Sequence, residues 1–407
     1  MLPFFRRSWL KQCVFALTRA TAGSVRKQRA GSLALSVESL EDRVTPVTWT
    51  GGAGTLNWSD GLNWSGGVVP GSTDNAVINV AVSGPIVISG TQAVNSLTDT
   101  TAALDLAGSL ALGTSSSVSK NFTEASGTLT ATGGLTVSGS TFAFNGGTIG
   151  GTVTLSNSTL NIGSGSTGSA SFVFQGSNTL SGNVASGQSL WVQGNSAAGS
   201  AALTTSGNVT NDGTILLESI NGGYNETLSS GTGSNTLTNA ADGTIQVSEG
   251  TGGGRSLVGN VVNVGQIDVG AGTTLNLNNG YSGYTLTNQG SAVVSASGFM
   301  VVGGTYVAAG GTISGPGYLY DATLRETSNA TPTTILANAG VTLATDNLSG
   351  MTVAVQGDSV LYSAALTAAD GVTNHGTIVL TSDTTSYNGA QLTAAGTFTN
   401  AADGTIR

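Results

Sequence analysis

The chain holds a single histidine, His375, within "GVTNHGTIVL" at residues 371–380. An imidazole is the usual proton carrier near neutral pH, so a lone histidine is the first candidate for acid–base chemistry. The same stretch occurs earlier as "NVTNDGTILL" at residues 208–217, with Asp212 in the histidine slot. Val264 and Gln289 fill that slot in shorter Asn-x-Gly stretches. A position open to His, Asp, Val and Gln reads as the exposed middle residue of a turn, and no catalytic role is expected of His375.

Carboxylates come next. Acid–base cleavage of a polysaccharide, as in the pectin hydrolases and lyases built on right-handed β-helices, needs clustered Asp side chains with a nearby Arg or Lys. Here the acidic residues are scattered singly, and Arg255 and Arg325 have no dense acidic stretch around them in sequence. Calcium-binding repeat turns need Gly-Gly-x-Gly-x-Asp or Asp-x-Asp patterns, and neither occurs. Asp242 and Asp403, in equivalent "AADGTI" segments, are the remaining candidates and read as Asp-Gly turns. "GTGGGRS" lacks the Gly-Lys-Ser/Thr ending of a phosphate loop, and there is no cysteine pair. The expectation is a protein with no catalytic residue, cofactor or metal, and so not an enzyme.

Trp49, Trp58 and Trp64 form the one aromatic cluster evident in the sequence. Flat indole faces with a polar rim suit a pyranose, which makes these three residues candidate glycan contacts. The competing reading is a plug for the end of a stacked core, which must be capped to remain soluble. The plug is the preferred reading.

The elements that carry these residues follow from composition. The 407 residues include 62 glycines and are 39% hydrophobic but only 8% charged. Abundant Val, Ile and Thr argue for β-structure over disorder. Eight of the twelve Lys and Arg residues lie in positions 1–46, against three acidic residues. The remaining body is acidic, which argues against a nucleic-acid partner. No apolar run is long enough for a transmembrane helix.

The basic leader carries "FRRSWLK", in which Arg6, Arg7 and Lys11 resemble a twin-arginine export signal. A short apolar stretch, "CVFAL", and a small-residue site at Ala20-Thr21-Ala22 follow, as in a cleaved signal peptide. Cys13 lies in this leader, so no disulfide is expected in the body. Further on, "LSVESLEDRVTPVTW", Leu35 to Trp49, resembles the Leu-Glu-Asp-Arg-x-x-Pro segment of large exported planctomycete proteins. Residues 48–78 resemble the opening of bacterial surface passengers with autotransporter-type β-strand repeats, through Asn63, Trp64, Pro70, Gly71, Asp74, Ala76, Val77 and Ile78. These resemblances imply an exported protein, extracellular or at the cell surface.

Repeats define the architecture. Residues 192–217 and 355–380 are identical at 16 of 26 positions with a constant offset of 163. "LTVSGSTFAFNGGTIGG" at 135–151 matches "FMVVGGTYVAAGGTISG" at 299–315. Within each long unit, Asn211, Asn239, Asn263 and Asn288, and then Asn374 and Asn400, recur at 24 to 28 residues. Such a period accommodates about three five-residue strands with turns, and strands such as "TILLES" and "TIVLTS" alternate apolar and polar residues. Isolated windings cannot bury their inner face, so they must stack.

The expected fold is all-β, a parallel β-solenoid with the right-handed β-helix as its expected form and a disordered or helical leader. A β-sandwich array is disfavoured for want of hairpin turns. The asparagines are expected to stack in an amide ladder. The expected organisation is a leader (1–46), a Trp-rich cap (47–95), a first long repeat (96–290) and a second (291–407) that stops inside a repeat, as a truncated product would. The function expected is that of a non-catalytic surface or secreted rod, adhesin-like or envelope-structural, with glycans or neighbouring surface proteins as partners. The alternative is a β-helix that binds or degrades polysaccharide.

Overall fold

The computed structural model describes residues 45–294, 297–382 and 388–407. The export leader with Arg6, Arg7, Lys11 and Cys13, and the Leu-Glu-Asp-Arg segment as far as Arg43, lie outside the described residues.

Short strands with period-two alternation dominate. In Thr214–Ser219, Ile215, Leu217 and Ser219 are buried while Thr214, Leu216 and Glu218 face outward. That strand pairs in parallel with Gln188–Gly194 on one side and Thr244–Val247 on the other. One stacked face runs from Val47–Thr48 through Asn75–Ile78, Thr128–Ser138 and Thr214–Ser219 to Thr312–Ser314. A second holds Ala201–Thr205, Glu226–Ser229, Arg255–Val258 and Thr274–Leu277. A third holds Val209–Asn211, Thr236–Asn239, Asn260–Asn263 and Thr285–Asn288. Each winding there contributes one strand to each face, and the fold is a parallel β-solenoid. Among the described residues, helical structure is confined to the 3-10 turns Gly61–Asn63 and Ser65–Gly67.

The core is a set of side-chain columns. Leu203, Leu228, Leu257, Leu277 and Val302 face one another in successive windings, and all are buried. Phe122 and Phe142 stack with centroids 5.3 Å apart and an interplanar angle of 7°. A fully buried leucine contributes about 2 kcal/mol relative to leaving it in water, so each column ties several windings together.

Winding length changes along the chain. Trp191 faces Leu216, which faces Gln246, Asp268 and Val293 in turn, matching the period read from the asparagines. Nearer the N-terminus, Thr136 faces Thr154 only 18 residues on, and stacking already joins Ala76 to Leu97. These shorter windings, ahead of the recognisable repeats, turn corners without a loop. Thr128–Ser138 pairs with Ser109–Leu112 through its first half and with Ser116–Val118 through its second, bending at Gly133 and Gly134. A Cβ at Gly133 would lie 2.2 Å from the Thr114 carbonyl carbon, so only glycine fits there.

Candidate functional site

The three tryptophans sit inside the first winding. Trp49 and Trp58 are fully buried and Trp64 is 2% exposed. Trp64 packs edge-on against both, with centroids 5.1 Å from Trp49 and 4.7 Å from Trp58, and its indole nitrogen donates to the Trp58 carbonyl at 2.7 Å. No ring presents a face to solvent. This corrects the assignment of Trp49, Trp58 and Trp64 as glycan contacts, because stacking on a pyranose needs an accessible ring face.

His375 meets a partner that its sequence neighbourhood does not reveal. Its Nδ1 lies 3.0 Å from Oδ1 of Asp403, 28 residues on, and both side chains are well exposed. The imidazole holds the Asp403 carboxyl below its usual range, chiefly through this hydrogen bond. The two groups are stacked turn residues, joined because Thr373–Asn374 pairs in register with Thr399–Asn400.

The asparagines form the ladder that their spacing predicts. Asn211 Nδ2 donates to Asn239 Oδ1 at 2.8 Å, Asn239 to Asn263 at 2.9 Å, and Asn263 to Asn288 at 2.9 Å. Asn288 then donates to the Tyr306 hydroxyl at 3.2 Å. Each nitrogen also reaches a backbone carbonyl of the next winding, those of Thr244, Gln266, Ser291 and Thr312. Asn211 Oδ1 has no donor, since the preceding winding places Val184 beside Asn211. In the second repeat Asn347 occupies that place, Asn374 continues to Asn400 at 2.6 Å, and Glu326 Oε1 lies 3.1 Å from the Asn347 amide.

Arg255, read as isolated in sequence, is wholly buried and lies 2.6 Å from the Glu226 carboxylate. Its guanidinium also donates to the carbonyls of Ser248, Glu249, Tyr224 and Gly252. Glu226 Oε1 accepts from the Gly194 amide at 3.0 Å, so one ion pair ties three windings. Burial pushes the Glu226 carboxyl up to about 7 against the pull of the guanidinium, and burial lowers Arg255.

Two further carboxyls are buried without a cationic partner. Glu124 takes an inward position between Leu106 and Phe144, and burial raises its carboxyl to about 8 although the Gly127 amide donates to it. Glu326 is raised to about 7 by burial, against the Leu348 amide. Sequence inspection misses both because each occupies an inward slot that alternation assigns to an apolar residue.

Outside, a shallow groove of about 470 Å³ is lined by Glu218, Gln246, Ser248, Glu249, Asp268 and Val293. Glu218 Oε1 accepts from the Ser248 hydroxyl at 2.7 Å, and Asp268 Oδ1 from Gln266 Nε2 at 2.6 Å. These contacts hold the two carboxylates against their own windings, and the groove is acidic and open. Among the described residues no three His, Cys, Asp or Glu side chains converge as a metal-binding set. Among the same residues no helix is long and apolar enough to cross a membrane.

No protein-family model and no curated protein matches this chain. A search of solved structures finds the crystal structure of a TibC-catalyzed hyper-glycosylated TibA55-350 fragment. The likeness has a TM-score of 0.24 at 16% identity, and covers 77% of this chain and 100% of that one.

Proposed function

We propose that this protein is an exported, non-catalytic rod that works at the cell surface or outside the cell, as an adhesin-like or envelope-structural element. The observation that supports this most is where the strongest polar groups are used. The Asn211–Asn239–Asn263–Asn288 amides and the Arg255–Glu226 pair face inward and join one winding to the next. Buried, satisfied polar networks fix register and stiffen a stack. The product is a long scaffold whose outer faces are left for contact, with glycans or neighbouring surface proteins as partners.

Export is tested by fusing residues 1–46 to a reporter and following its location with and without Arg6→Lys/Arg7→Lys. The reading expects delivery out of the cytoplasm, and retention of the unaltered fusion inside would overturn it. Electron microscopy of the purified chain tests the second element, with straight rods as the expected result.

A further inference from the structure

Aromatic side chains in the first half of the solenoid point inward: Phe122, Phe142, Phe144, Phe172 and Phe174 are all buried. Between residues 274 and 320 the pattern reverses. Tyr281 is 50% exposed and lies 6.0 Å from Tyr284 at an interplanar angle of 40°. Phe299 and Tyr318, both partly exposed, lie 5.2 Å apart at 31°.

Strand register places these pairs on one surface. Thr274 faces Phe299, while Asn276 faces Val301, which faces Tyr318. Tyr320 is level with Gly303, because Leu319 faces Val302 and Ala322 faces Gly304. Gly303 in turn packs on the backbone of Asn278 and Asn279, at the start of the loop that carries Tyr281 and Tyr284. The rings therefore sit on three consecutive windings, about 4.8 Å apart at each step. Amides border them, with Asn279 Nδ2 donating to Asn276 Oδ1 at 3.2 Å in an exposed bond.

Charge narrows the ligand. From residue 269 to residue 320 the chain has no Asp, Glu, Lys, Arg or His, although residues 47–407 carry eighteen acidic and four basic side chains. A neutral strip in an acidic body repels polyanions at long range and offers cations no carboxylate. An apolar partner would bury the phenol and amide groups unpaired, at a cost. A neutral saccharide satisfies both needs, with C–H faces on the rings and hydroxyls on the amides and phenols.

The geometry points to a binding face for a neutral polysaccharide, formed by Tyr281, Tyr284, Phe299, Tyr318 and Tyr320 with Asn276 and Asn279. This rests on the reading of the protein as a surface rod and names the ligand class of its outer face.

Affinity electrophoresis of the full chain through gels containing a soluble β-1,3-glucan, a galactomannan or a xyloglucan tests it. Polygalacturonate gels and flotation with phosphatidylcholine vesicles serve as comparisons. Retardation by at least one neutral polymer is expected, weakened at least tenfold in Tyr281→Ala and in Tyr318→Ala and retained in Tyr281→Trp. A chain with an intact β-sheet spectrum that is retarded by none of the three overturns the proposal. So does an unweakened Tyr281→Ala, retardation by polygalacturonate alone, or co-flotation with vesicles alone. Tyr281 lies on a loop outside the core, so its variant decides the matter if Tyr318→Ala unfolds. Failure of the rod reading is separate: it would appear as a compact particle in electron microscopy whatever the gels show.

Discussion

Arg255 and Glu226 face each other across adjacent strands, 2.6 Å apart and sealed from solvent. Removing either partner leaves the other charge buried and unpaired, which costs about 3–5 kcal/mol. Arg255→Met should therefore speed hydrogen exchange across 219–256 by orders of magnitude. The double variant Glu226→Leu/Arg255→Met should recover most of the protection. Equal exchange in Arg255→Met and the unaltered chain would show that the pair contributes nothing.

The amide ladder makes a second prediction. Asn239→Ala deletes two ladder bonds and strands the Asn263 oxygen in a dry interior. An unsatisfied buried group costs about 1–3 kcal/mol, beyond the bonds themselves. Guanidinium unfolding followed by tryptophan fluorescence should show a clearly lower midpoint for Asn239→Ala. Asn276→Ala, outside the ladder, should unfold as the parent does, and a matching midpoint in Asn239→Ala would count against the ladder.

Acid should stabilise this fold. Glu124 and Glu326 have folded-state values of about 8 and about 7, above the ordinary 4.5. Between 4.5 and those values the folded chain holds protons that the unfolded chain releases, so stability falls as pH rises. Their contribution is greatest below pH 4.5 and levels off above about pH 8. Thermal melts from pH 5 to 8.5 should show a declining midpoint, with a shallower slope in Glu124→Gln. A midpoint that rises across this range would refute the assignment.

The two long repeats differ informatively at one turn. Asn195 and Asp358 each accept two backbone amides at the tip, and the closing residues are Gly199 with φ 79° and Tyr362 with φ 66°. A left-handed conformation costs a residue with a Cβ about 1–2 kcal/mol. Tyr362 is 70% exposed, so its ring returns little through burial. Tyr362→Gly should raise the unfolding midpoint by an amount equivalent to about 1 kcal/mol, and a lower midpoint would mean that the ring makes compensating contacts.

Much of this was readable from the chain alone. Strand alternation, the asparagine spacing and the 163-residue repeat specify stacked parallel windings, because inner and outer positions must each find their own kind in the next winding. The amide ladder followed from the same logic. Tertiary structure decided the partners. Glu226 meets Arg255, and His375 meets Asp403, across 29 and 28 residues that sequence proximity cannot bridge. The shorter N-terminal windings were hidden because their corners are glycine bends within strands, which leave no loop to mark a period. Most telling is Phe299, which aligns with Leu135 by sequence. Leu135 is buried, whereas Phe299 faces outward and Met300 takes the inner slot. A strand side chain changes face with a single-residue slip, so composition and period fix what a winding contains, and only its register against its neighbours fixes which groups the surface displays.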